Sequence, residues 1–575
     1  MNNLPANPAM PLTRPYECGA DLAEPAKPRI LFTSVFGPYA RDDEFGSRAI
    51  NPMELYHNQV TRVQGPFSLR MFHRSWGLMM MRDNVSAPSS LLDFPTRERF
   101  IQELKTEPYN IVAISAIPPN YLKALEMCRL IREFQPRAKI IVGGHISGLP
   151  NLQKRLGADH VVRVEGVRWF RSFLGEDVNA PILHPQIVSG IGTRTMGMQL
   201  RETPGAIAAT VIPSVGCPMG CNFCATSAMF GGKGKFLNFY ETGDELFEVM
   251  CGLERDMKVQ TFFVMDENFL LHKKRALRLL EIMEKHGKSW SLYVFSSANV
   301  LRSYTIEQLV RMGISWVWMG LEGKTSQYQK LAGADTIELV RELRSHGISI
   351  LGSTIIGLEE HTPENLPAAI EHAVAHDTEF HQFMLYTPVA GTPLFEEHRA
   401  NGTLLDPECL NPSDTHGQLR FVHKHPHIPA GMETDFQLQA FRRDFEVNGP
   451  SVVRMVRTTL LGWKKYGRHS DPRIRKRFRR EGTPLRFQYP AVLWATRHWY
   501  RKDPVMRGKT DAILQDLIGE FGLAAKIAAS IGGRILYRNL LAEAAKSPAE
   551  SPEPPTFYER KTPSSNQPVR KSSVQ

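Results

Sequence analysis

The chain has 575 residues, of which 42% are hydrophobic and 22% charged, and its formal net charge is +11. These values are ordinary for a globular protein and leave room for three or four domains. Seven cysteines are an odd number, which argues against a disulfide framework and favours a reducing cytosol. Residues 1–28 lack the apolar core of a signal peptide and predict a disordered tail.

Residues 29–174 alternate short apolar runs with helical patterns. Runs beginning at Arg29, Asn110 and Ala138 predict strands, and Tyr121 to Phe134 has apolar residues at helical spacing. This βαβ alternation predicts a doubly wound parallel sheet, in which ligands bind beyond the carboxyl ends of the strands. The loops 34–39, 115–120 and 143–148 would meet there. The glycines of the loop 143–148, Gly143, Gly144 and Gly148, would let the backbone approach a flat ligand.

After a polar linker at 175–207, residues 208–421 repeat the strand and helix pattern six times. Strands are predicted near residues 208, 260, 290, 314, 348 and 380. The pattern predicts a partial (β/α)6 barrel related to the TIM barrel. Chemistry in such barrels takes place at the carboxyl ends of the strands.

Three cysteines follow the first predicted barrel strand, at Cys217, Cys221 and Cys224. Thiolates are soft ligands that suit an iron-sulfur cluster or zinc. A closed zinc site needs a fourth protein ligand, and the next cysteine, Cys251, comes 27 residues after Cys224. Three ligands on a four-iron cluster would leave one iron open. A zinc knuckle and three unrelated core thiols are the alternatives.

The residues Cys217, Cys221, Phe223 and Cys224 resemble the signature loop of the radical S-adenosylmethionine superfamily. The resemblance implies a 4Fe-4S cluster whose open iron binds S-adenosylmethionine, which is then cleaved to a 5'-deoxyadenosyl radical. The later strand ends resemble the segments with which this family holds S-adenosylmethionine. The residues so implied are Asp266, Glu267 and Asn268 near the amino group, Ser297 and Asn299 near the ribose or carboxylate, Glu322 near the ribose hydroxyls, and the backbone of Ile356 and Gly357 near the adenine.

The first domain resembles the cobalamin-binding domain of one subgroup of this superfamily, on the basis of Val142-Gly-Gly-His145, residues 157–162 and Glu165-Gly166. The resemblance implies that Gly143, Gly144, His145, Gly148, Glu165 and Gly166 bind cobalamin. Val164 and Val167 depart from the subgroup's Gly-Glu-Gly-Glu motif, and Asp-x-His-x-x-Gly is absent from the sequence. We therefore expect no protein histidine beneath the cobalt. A domain with a structural or vestigial role is the alternative.

Residues 422–546 predict a basic, mostly helical C-terminal domain, and residues 547–575 a disordered tail. The segment 454–509 has 17 Lys or Arg against three acidic residues. Such a surface, with amphipathic helices at 451–466 and 511–545, predicts a peripheral contact with an anionic membrane, or else with nucleic acid. The alternative is that the helices pack on the barrel with their basic face in water. The His-rich tract 421–427 is interpreted as a solvated loop, and the alternative is a metal-binding tract.

Three functions agree with these patterns. The first is cobalamin-dependent methylation of an unactivated carbon in a bulky apolar or lipid-like metabolite. The second is cyclisation or oxidation within the same family, and the third is RNA modification. The first domain contains only Cys128, without the extra cysteines of methylthio-transferring relatives, which argues against RNA. We expect a cytoplasmic enzyme, peripheral to the inner membrane face, that receives electrons from a low-potential donor of the flavodoxin or ferredoxin type.

Overall fold

The computed structural model describes residues 27–37, 44–45, 62–67, 70–71, 74–196, 198–199, 207–322, 335–406, 410–415, 417–418, 420–545, 557–561 and 569–570. Most of the predicted tail 1–28, the end of the linker 175–207 and most of 547–575 therefore lie outside the described residues.

The N-terminal domain is built on a twisted sheet with helices on both sides. Its strands are β1 (Ile30–Thr33), β2 (Arg70–Met71), β3 (Ser89–Asp93), β4 (Ile111–Ser115), β5 (Lys139–Gly143) and β6 (His160–Val161). Its helices are α1 (Trp76–Asp83), α2 (Arg97–Thr106), α3 (Tyr121–Phe134), α4 (Leu152–Leu156) and α5 (Gly166–Phe173). The parallel strands lie in the order β3-β1-β4-β5-β6, which confirms the predicted doubly wound sheet.

One strand of the connector extends the barrel sheet, and the other two form a separate three-stranded sheet with β2. The connector strands are β7 (Ile187–Val188), β8 (Ile191–Thr195) and β9 (Met198–Gln199). β7 pairs antiparallel with the first barrel strand, whereas β8 pairs with both β2 and β9. The predicted linker thus joins the two domains through short strand pairings.

The central domain contains the six predicted parallel strands as an open barrel. Its strands are β10 (Ala209–Val211), β11 (Ser214–Val215), β12 (Leu237–Asn238), β13 (Thr261–Val264), β14 (Ser291–Phe295), β15 (Ile314–Gly320), β16 (Ser349–Ile356) and β17 (Phe380–Leu385). Its helices are α6 (Ala225–Met229), α7 (Gly243–Met257), α8 (Lys273–Lys285), α9 (Ala298–Leu301), α10 (Ile306–Met312), α11 (Thr336–Ser345), α12 (Leu366–Val374) and α13 (Pro393–Ala400). The sheet order is β17-β16-β15-β14-β13-β10-β7, so β17 and β10 do not pair and the barrel is partial, as predicted.

Helices form the C-terminal region. They are α14 (Met432–Asn448), α15 (Ser451–Tyr466), α16 (Pro472–Glu481), α17 (Pro484–Trp499) and α18 (Pro504–Ala544). Gly522 interrupts α18 with a non-helical backbone (φ 60°, ψ −139°), a conformation that suits glycine. The two halves of α18 therefore run in different directions.

The prediction of a disordered tail at 547–575 was wrong for one segment. Residues Phe557–Lys561 form strand β18, which pairs antiparallel with β3, and Val569–Arg570 form β19 beside it. Glu559 forms an ion pair with Arg82, and both side chains are buried. A buried charge needs such a partner, so this contact fixes the strand on the sheet edge.

Candidate functional site

The cysteine loop is a tight turn between β11 and α6. Gly216 (φ +87°) and Gly220 (φ +67°) have positive φ, and a side chain at Gly220 would lie 2.5 Å from Lys233 Cβ. Ser227 Oγ donates to the carbonyl of Cys217 at 2.9 Å, and the amide of Cys224 donates to the carbonyl of Cys221 at 3.0 Å. These contacts hold the three cysteines on one loop at the carboxyl end of the barrel.

The three thiols suit a cluster better than a single ion. Burial, and then the neighbouring Cys224 and Cys221, raise the pKa of Cys217 to about 11. The thiol is therefore protonated in the free protein and gives up its proton when iron binds. Around one zinc ion, thiolate sulfurs lie within about 4 Å of each other. Among the described residues, no three His, Cys, Asp or Glu side chains have the arrangement needed for a single metal ion. The donor set, three soft thiolates on one loop, fits three irons of a 4Fe-4S cluster.

The aromatic residue before the third cysteine points the loop towards the last strands of the barrel. Phe223 packs against Tyr386, with ring centroids 6.0 Å apart. The Asn222 carbonyl accepts from the amide of Leu394 at 3.1 Å. The cysteine loop is thus anchored to the carboxyl end of β17 and the start of α13.

At the end of β13, the three residues predicted near the amino group differ in their surroundings. Asp266 accepts from Arg275 and Ser214, both at 2.5 Å, and from the amide of Asn268 at 3.1 Å, so both its oxygens are engaged. Asp266 is therefore a structural residue of the buried strand end. Glu267 has an oxygen without a hydrogen-bond partner among the described residues, and burial followed by the charge of Asp266 raises its pKa to about 8. An ammonium group would pair with this carboxylate.

A chain of hydrogen bonds continues to the next strand end. Asn268 donates to Ser297 Oγ at 3.2 Å, and Ser297 donates to Asn299 Oδ1 at 2.8 Å. The structure thus brings together Asn268, Ser297 and Asn299. Glu322 is buried just beyond the end of β15, on the same edge of the sheet. These groups offer the amide, hydroxyl and carboxylate oxygens that a ribose requires.

The predicted adenine segment after β16 is held by residues that the sequence did not point to. The amides of Gly357 and Leu358 donate to His361 Nδ1 at 3.0 and 3.1 Å. A side chain at Gly357 (φ +77°) would lie 2.3 Å from the ring of Phe421. Because His361 occupies both amides, they are not available to an adenine edge. The remaining main-chain groups of this segment would have to supply that contact.

The tract 421–427 is not a solvated loop, contrary to the sequence interpretation. Phe421 and His423 are buried, and His425 Nε2 lies 3.1 Å from the carbonyl of Leu358. The tract therefore packs against the segment that follows β16. The signal in the sequence is the apolar pair Phe421-Val422 at the start of the tract, and both residues are buried.

In the N-terminal domain, the predicted glycines allow protein backbone, not a ligand, to come close. A side chain at Gly144 (φ +85°) would lie 2.5 Å from the Ala116 carbonyl oxygen, and one at Gly148 would lie 2.3 Å from the Ala390 carbonyl oxygen. At Gly143 the nearest atom is the Val162 carbonyl oxygen at 3.8 Å. Gly144 therefore joins the loops after β4 and β5, while Gly148 joins the two domains.

The carboxyl edges of the two sheets consequently face each other. His145 Nε2 lies 3.4 Å from Thr226 Oγ1 on α6, directly after the cysteine loop, and Arg163 donates to the Gly391 carbonyl at 2.6 Å. Ser147 Oγ is buried without a hydrogen-bond partner among the described residues. These side chains line a crevice between the domains. The crevice is narrow, with a volume of about 10 Å³, and burial lowers the pKa of His145, which keeps it neutral.

The structure gives Glu165 and Gly166 local roles. The Glu165 carboxylate caps α5 by accepting from the amides of Val167 and Arg168, and a side chain at Gly166 would lie 2.4 Å from Met81 Sδ. Negative charge at a helix start is stabilising. Both residues therefore shape the domain that carries the crevice, and the structure does not place them with His145.

Much of the predicted basic surface is used inside the protein. Arg473 donates to the Lys288 carbonyl at 2.9 Å, Arg477 to the Val310 carbonyl at 3.1 Å, and Arg480 to the Ser289 carbonyl at 2.8 Å. These carbonyls lie at the amino ends of β14 and β15. Helix α16 therefore packs across the bottom of the barrel, and its arginines satisfy main-chain groups there instead of facing phosphates.

No helix within the part of the chain that the structure describes is both long enough and apolar enough to cross a bilayer.

Comparisons with known proteins agree with the two-domain arrangement. The model of the radical SAM superfamily matches residues 211–373, which include the cysteine loop. The model of the B12 binding domain matches residues 80–174, which include the loop 143–148. Each match falls on the domain where the sequence predicted it.

Curated relatives share parts of the chain. An uncharacterized methyltransferase of Pyrococcus horikoshii is 24% identical over 330 residues, which are 52% of this chain and 71% of the relative. A bacteriochlorophyllide d C-12(1)-methyltransferase of Chlorobaculum tepidum is 30% identical over 195 residues, 32% of this chain and 42% of that one. An anaerobic magnesium-protoporphyrin IX monomethyl ester cyclase of Cereibacter sphaeroides is 23% identical over 360 residues, 55% and 58% of the two chains. The chain thus carries a B12 binding domain followed by a radical SAM domain that contains the cysteine loop, and these two domains imply a 4Fe-4S cluster, S-adenosylmethionine and cobalamin as cofactors.

Proposed function

We propose that the chain methylates an unactivated carbon of a bulky apolar or lipid-like metabolite. The observation that carries this proposal is the contact of His145 with Thr226, 3.4 Å apart, which joins the cobalamin-domain loop to the helix after the cysteine loop. When bound, the cluster with S-adenosylmethionine supplies a hydrogen-abstracting radical, and cobalamin supplies the methyl group. Two cofactor sites on facing edges can both reach one substrate between them.

The protein's own residues have distinct tasks in this scheme. Cys217, Cys221 and Cys224 hold the cluster, and Glu267 pairs with the ammonium group of S-adenosylmethionine. The hydrogen-bonded residues Asn268, Ser297 and Asn299, with Glu322, orient its polar groups. Packing of Gly148 on Ala390 fixes the distance between the two domains and excludes water from the space between them.

The relatives support a bulky substrate without identifying it. One relative is named as a methyltransferase of bacteriochlorophyllide d, and another as an uncharacterized methyltransferase. A cyclase among the relatives favours the second function, in which the radical serves ring formation. RNA modification has less support, because the arginines of α16 are occupied by main-chain carbonyls.

The test uses S-adenosylmethionine with an isotope-labelled methyl group. The protein is reconstituted without oxygen, with cluster and methylcobalamin, and incubated with an extract of the cells that encode it. Label in a product, formed together with 5'-deoxyadenosine, supports methyl transfer. An unlabelled product that has lost hydrogen or closed a ring refutes methyl transfer in favour of the cyclase. The matched control changes all three cysteines to alanine and should form no 5'-deoxyadenosine.

For the reductant, we propose an acidic low-potential protein of the flavodoxin or ferredoxin type. The loop 231–236 packs on Gly220 of the cysteine loop and exposes Lys233 and Lys235. Complementary charge accelerates transient redox encounters. Exchanging both lysines for glutamate should slow reduction by flavodoxin and leave reduction by dithionite unchanged; equal flavodoxin rates would contradict this docking.

We place the reaction in the cytoplasm, with the C-terminal region 451–545 in peripheral contact with an anionic membrane. An apolar substrate partitions into lipid, so an enzyme on the bilayer surface meets it at high local concentration. The test is co-flotation of the protein with anionic vesicles.

A further inference from the structure

The second half of α18 exposes a row of large aliphatic side chains. Leu523, Ile527, Ile531 and Ile535 are 70%, 49%, 62% and 59% exposed, and they follow one another at intervals of four residues. Residues at this spacing lie on the same side of a helix. Contiguous exposed apolar surface of this kind marks a site of interaction. We call this row the aliphatic stripe.

The opposite side of the same helix is buried, which fixes the direction of the stripe. Ala529, Leu536 and Leu540 belong to the core that α18 shares with α15 and α17, and Ala525 is also buried. A side chain at Gly533 would lie 2.6 Å from the ring of Trp494, so the helix packs closely on α17. The stripe therefore faces outward as a consequence of the fold.

The charges around the stripe are all of one sign. Lys526, Arg534 and Arg538 are exposed on this half of the helix. The sequence has no Asp or Glu from Phe521 to Ala542. A second copy of the chain packed on this stripe would bring these cations close to one another. An anionic surface would instead pair with the cations while it buried the aliphatic side chains.

We propose that the aliphatic stripe binds the surface of an anionic lipid bilayer, with the second half of α18 lying in the plane of the interface. The proposal rests on the membrane contact suggested above, and it moves that contact away from the arginine-rich segment, whose α16 packs on the barrel. It does not depend on methyl transfer. The first half of α18 packs on α15 through Trp463 and Glu520, whose Nε1 and Oε1 are 3.1 Å apart, so the barrel is held beside the surface.

The experiment is flotation of the full-length, reconstituted protein with vesicles of phosphatidylcholine, with or without about 30% phosphatidylglycerol. We expect binding to the anionic vesicles only, with a large loss at about 0.5 M salt. The double variant I527E/I531E should bind at least tenfold less. The matched control A512E adds charge at an exposed position before Gly522 and should bind as the wild type does.

Three results would overturn the proposal. These are no flotation of the wild type at low salt, equal flotation of I527E/I531E, and a dimer in light scattering that only the stripe variant dissociates. The last result would assign the stripe to a second copy of the chain. Formation of 5'-deoxyadenosine by each variant, measured in parallel, shows that the barrel is folded. Failure of that reaction in the wild type would count against the proposed enzyme and leave the lipid result to be judged separately.

Discussion

The substitution Gly148→Ala tests whether the two cofactor-binding domains are held in contact by backbone packing. The added methyl group would lie 2.3 Å from the Ala390 carbonyl oxygen and 3.4 Å from Gly391 Cα. Ordinary contact between such atoms is about 3.5 Å, so the clash exceeds about 1 Å. Both neighbours are backbone atoms, and no side chain can rotate to relieve it. The loop 145–148 must therefore move away from the barrel.

The free energy of unfolding should fall by about 1–3 kcal/mol, which is typical of overpacking at a close contact. The matched control is Gly143→Ala at the start of the same loop, where the nearest atom is 3.8 Å away. Both changes reduce the freedom of the unfolded chain by a similar amount, so their difference isolates the clash. For a domain of this size the melting temperature should fall by several degrees relative to Gly143→Ala.

Thermal unfolding of the two variants is compared with amide hydrogen exchange at residues 225–229 and 389–394, on the barrel side of the contact. In Gly148→Ala, exchange should increase in both segments because the domains separate. Formation of 5'-deoxyadenosine, which needs only the barrel, should persist. Melting within about 1 °C of the control, with unchanged exchange, would refute the packing argument.

Three further predictions follow from buried charged and titratable groups. Glu267→Gln should weaken S-adenosylmethionine binding at least about tenfold, because a charged hydrogen bond contributes about 1.5–3 kcal/mol. Anaerobic titration calorimetry measures the affinity, and an unchanged affinity would show that Glu267 does not bind the ligand. Burial lowers the pKa of His381 to about 3 and those of His184 and His376 to about 4. These histidines stay neutral in the folded chain and gain protons on unfolding below about pH 6.5, so stability is highest above that pH and falls on acidification by about 1.4 kcal/mol per pH unit for each histidine. Urea unfolding at pH 7, 6 and 5 measures this dependence of stability on pH. His381→Asn should reduce the slope by about 1.4 kcal/mol per pH unit, and an unchanged slope would contradict a neutral, buried His381. Glu559→Ala should destabilise the N-terminal sheet by about 2–4 kcal/mol, since Arg82 stays buried with only Asp83 beside it. The control Arg560→Ala breaks an exposed ion pair with Glu107 and should change stability by less than about 1 kcal/mol. Hydrogen exchange of the β3 amides distinguishes the two variants, and equal effects would count against the buried ion pair.

The sequence predicted the barrel strands well because most of them contain apolar runs, although β16 includes Gly352, Ser353 and Thr354 and β17 includes His381 and Gln382. Strand β3 was missed, since Ser89 and Ser90 are polar residues that the fold nevertheless buries. Strand β18 was missed because Glu559 and its neighbours are charged, and the partner, Arg82, lies far away in the chain. Local sequence patterns do not reveal contacts between residues so far apart in the chain.

In the candidate site too, features set by local sequence could be predicted, whereas contacts between distant segments could not. The cysteines were predictable because their spacing lies within one loop. The engagement of Asp266 by Arg275 depends on how α8 packs against β13 and could not be inferred from either segment alone. Similarly, the positive φ of Gly144 was foreseeable, whereas the atom that approaches it, the Ala116 carbonyl oxygen, is set by the neighbouring loop.

The pairing of β18 with β3 has a consequence for synthesis on the ribosome. The N-terminal sheet acquires strand β18 only after residues 557–561 emerge, so one edge of β3 presents unpaired main-chain groups until that point of translation. During that interval Arg82 lacks Glu559, and the open edge can pair with another nascent chain. Proteolytic loss of residues 557–561 would therefore be expected to cause aggregation that begins in the N-terminal domain.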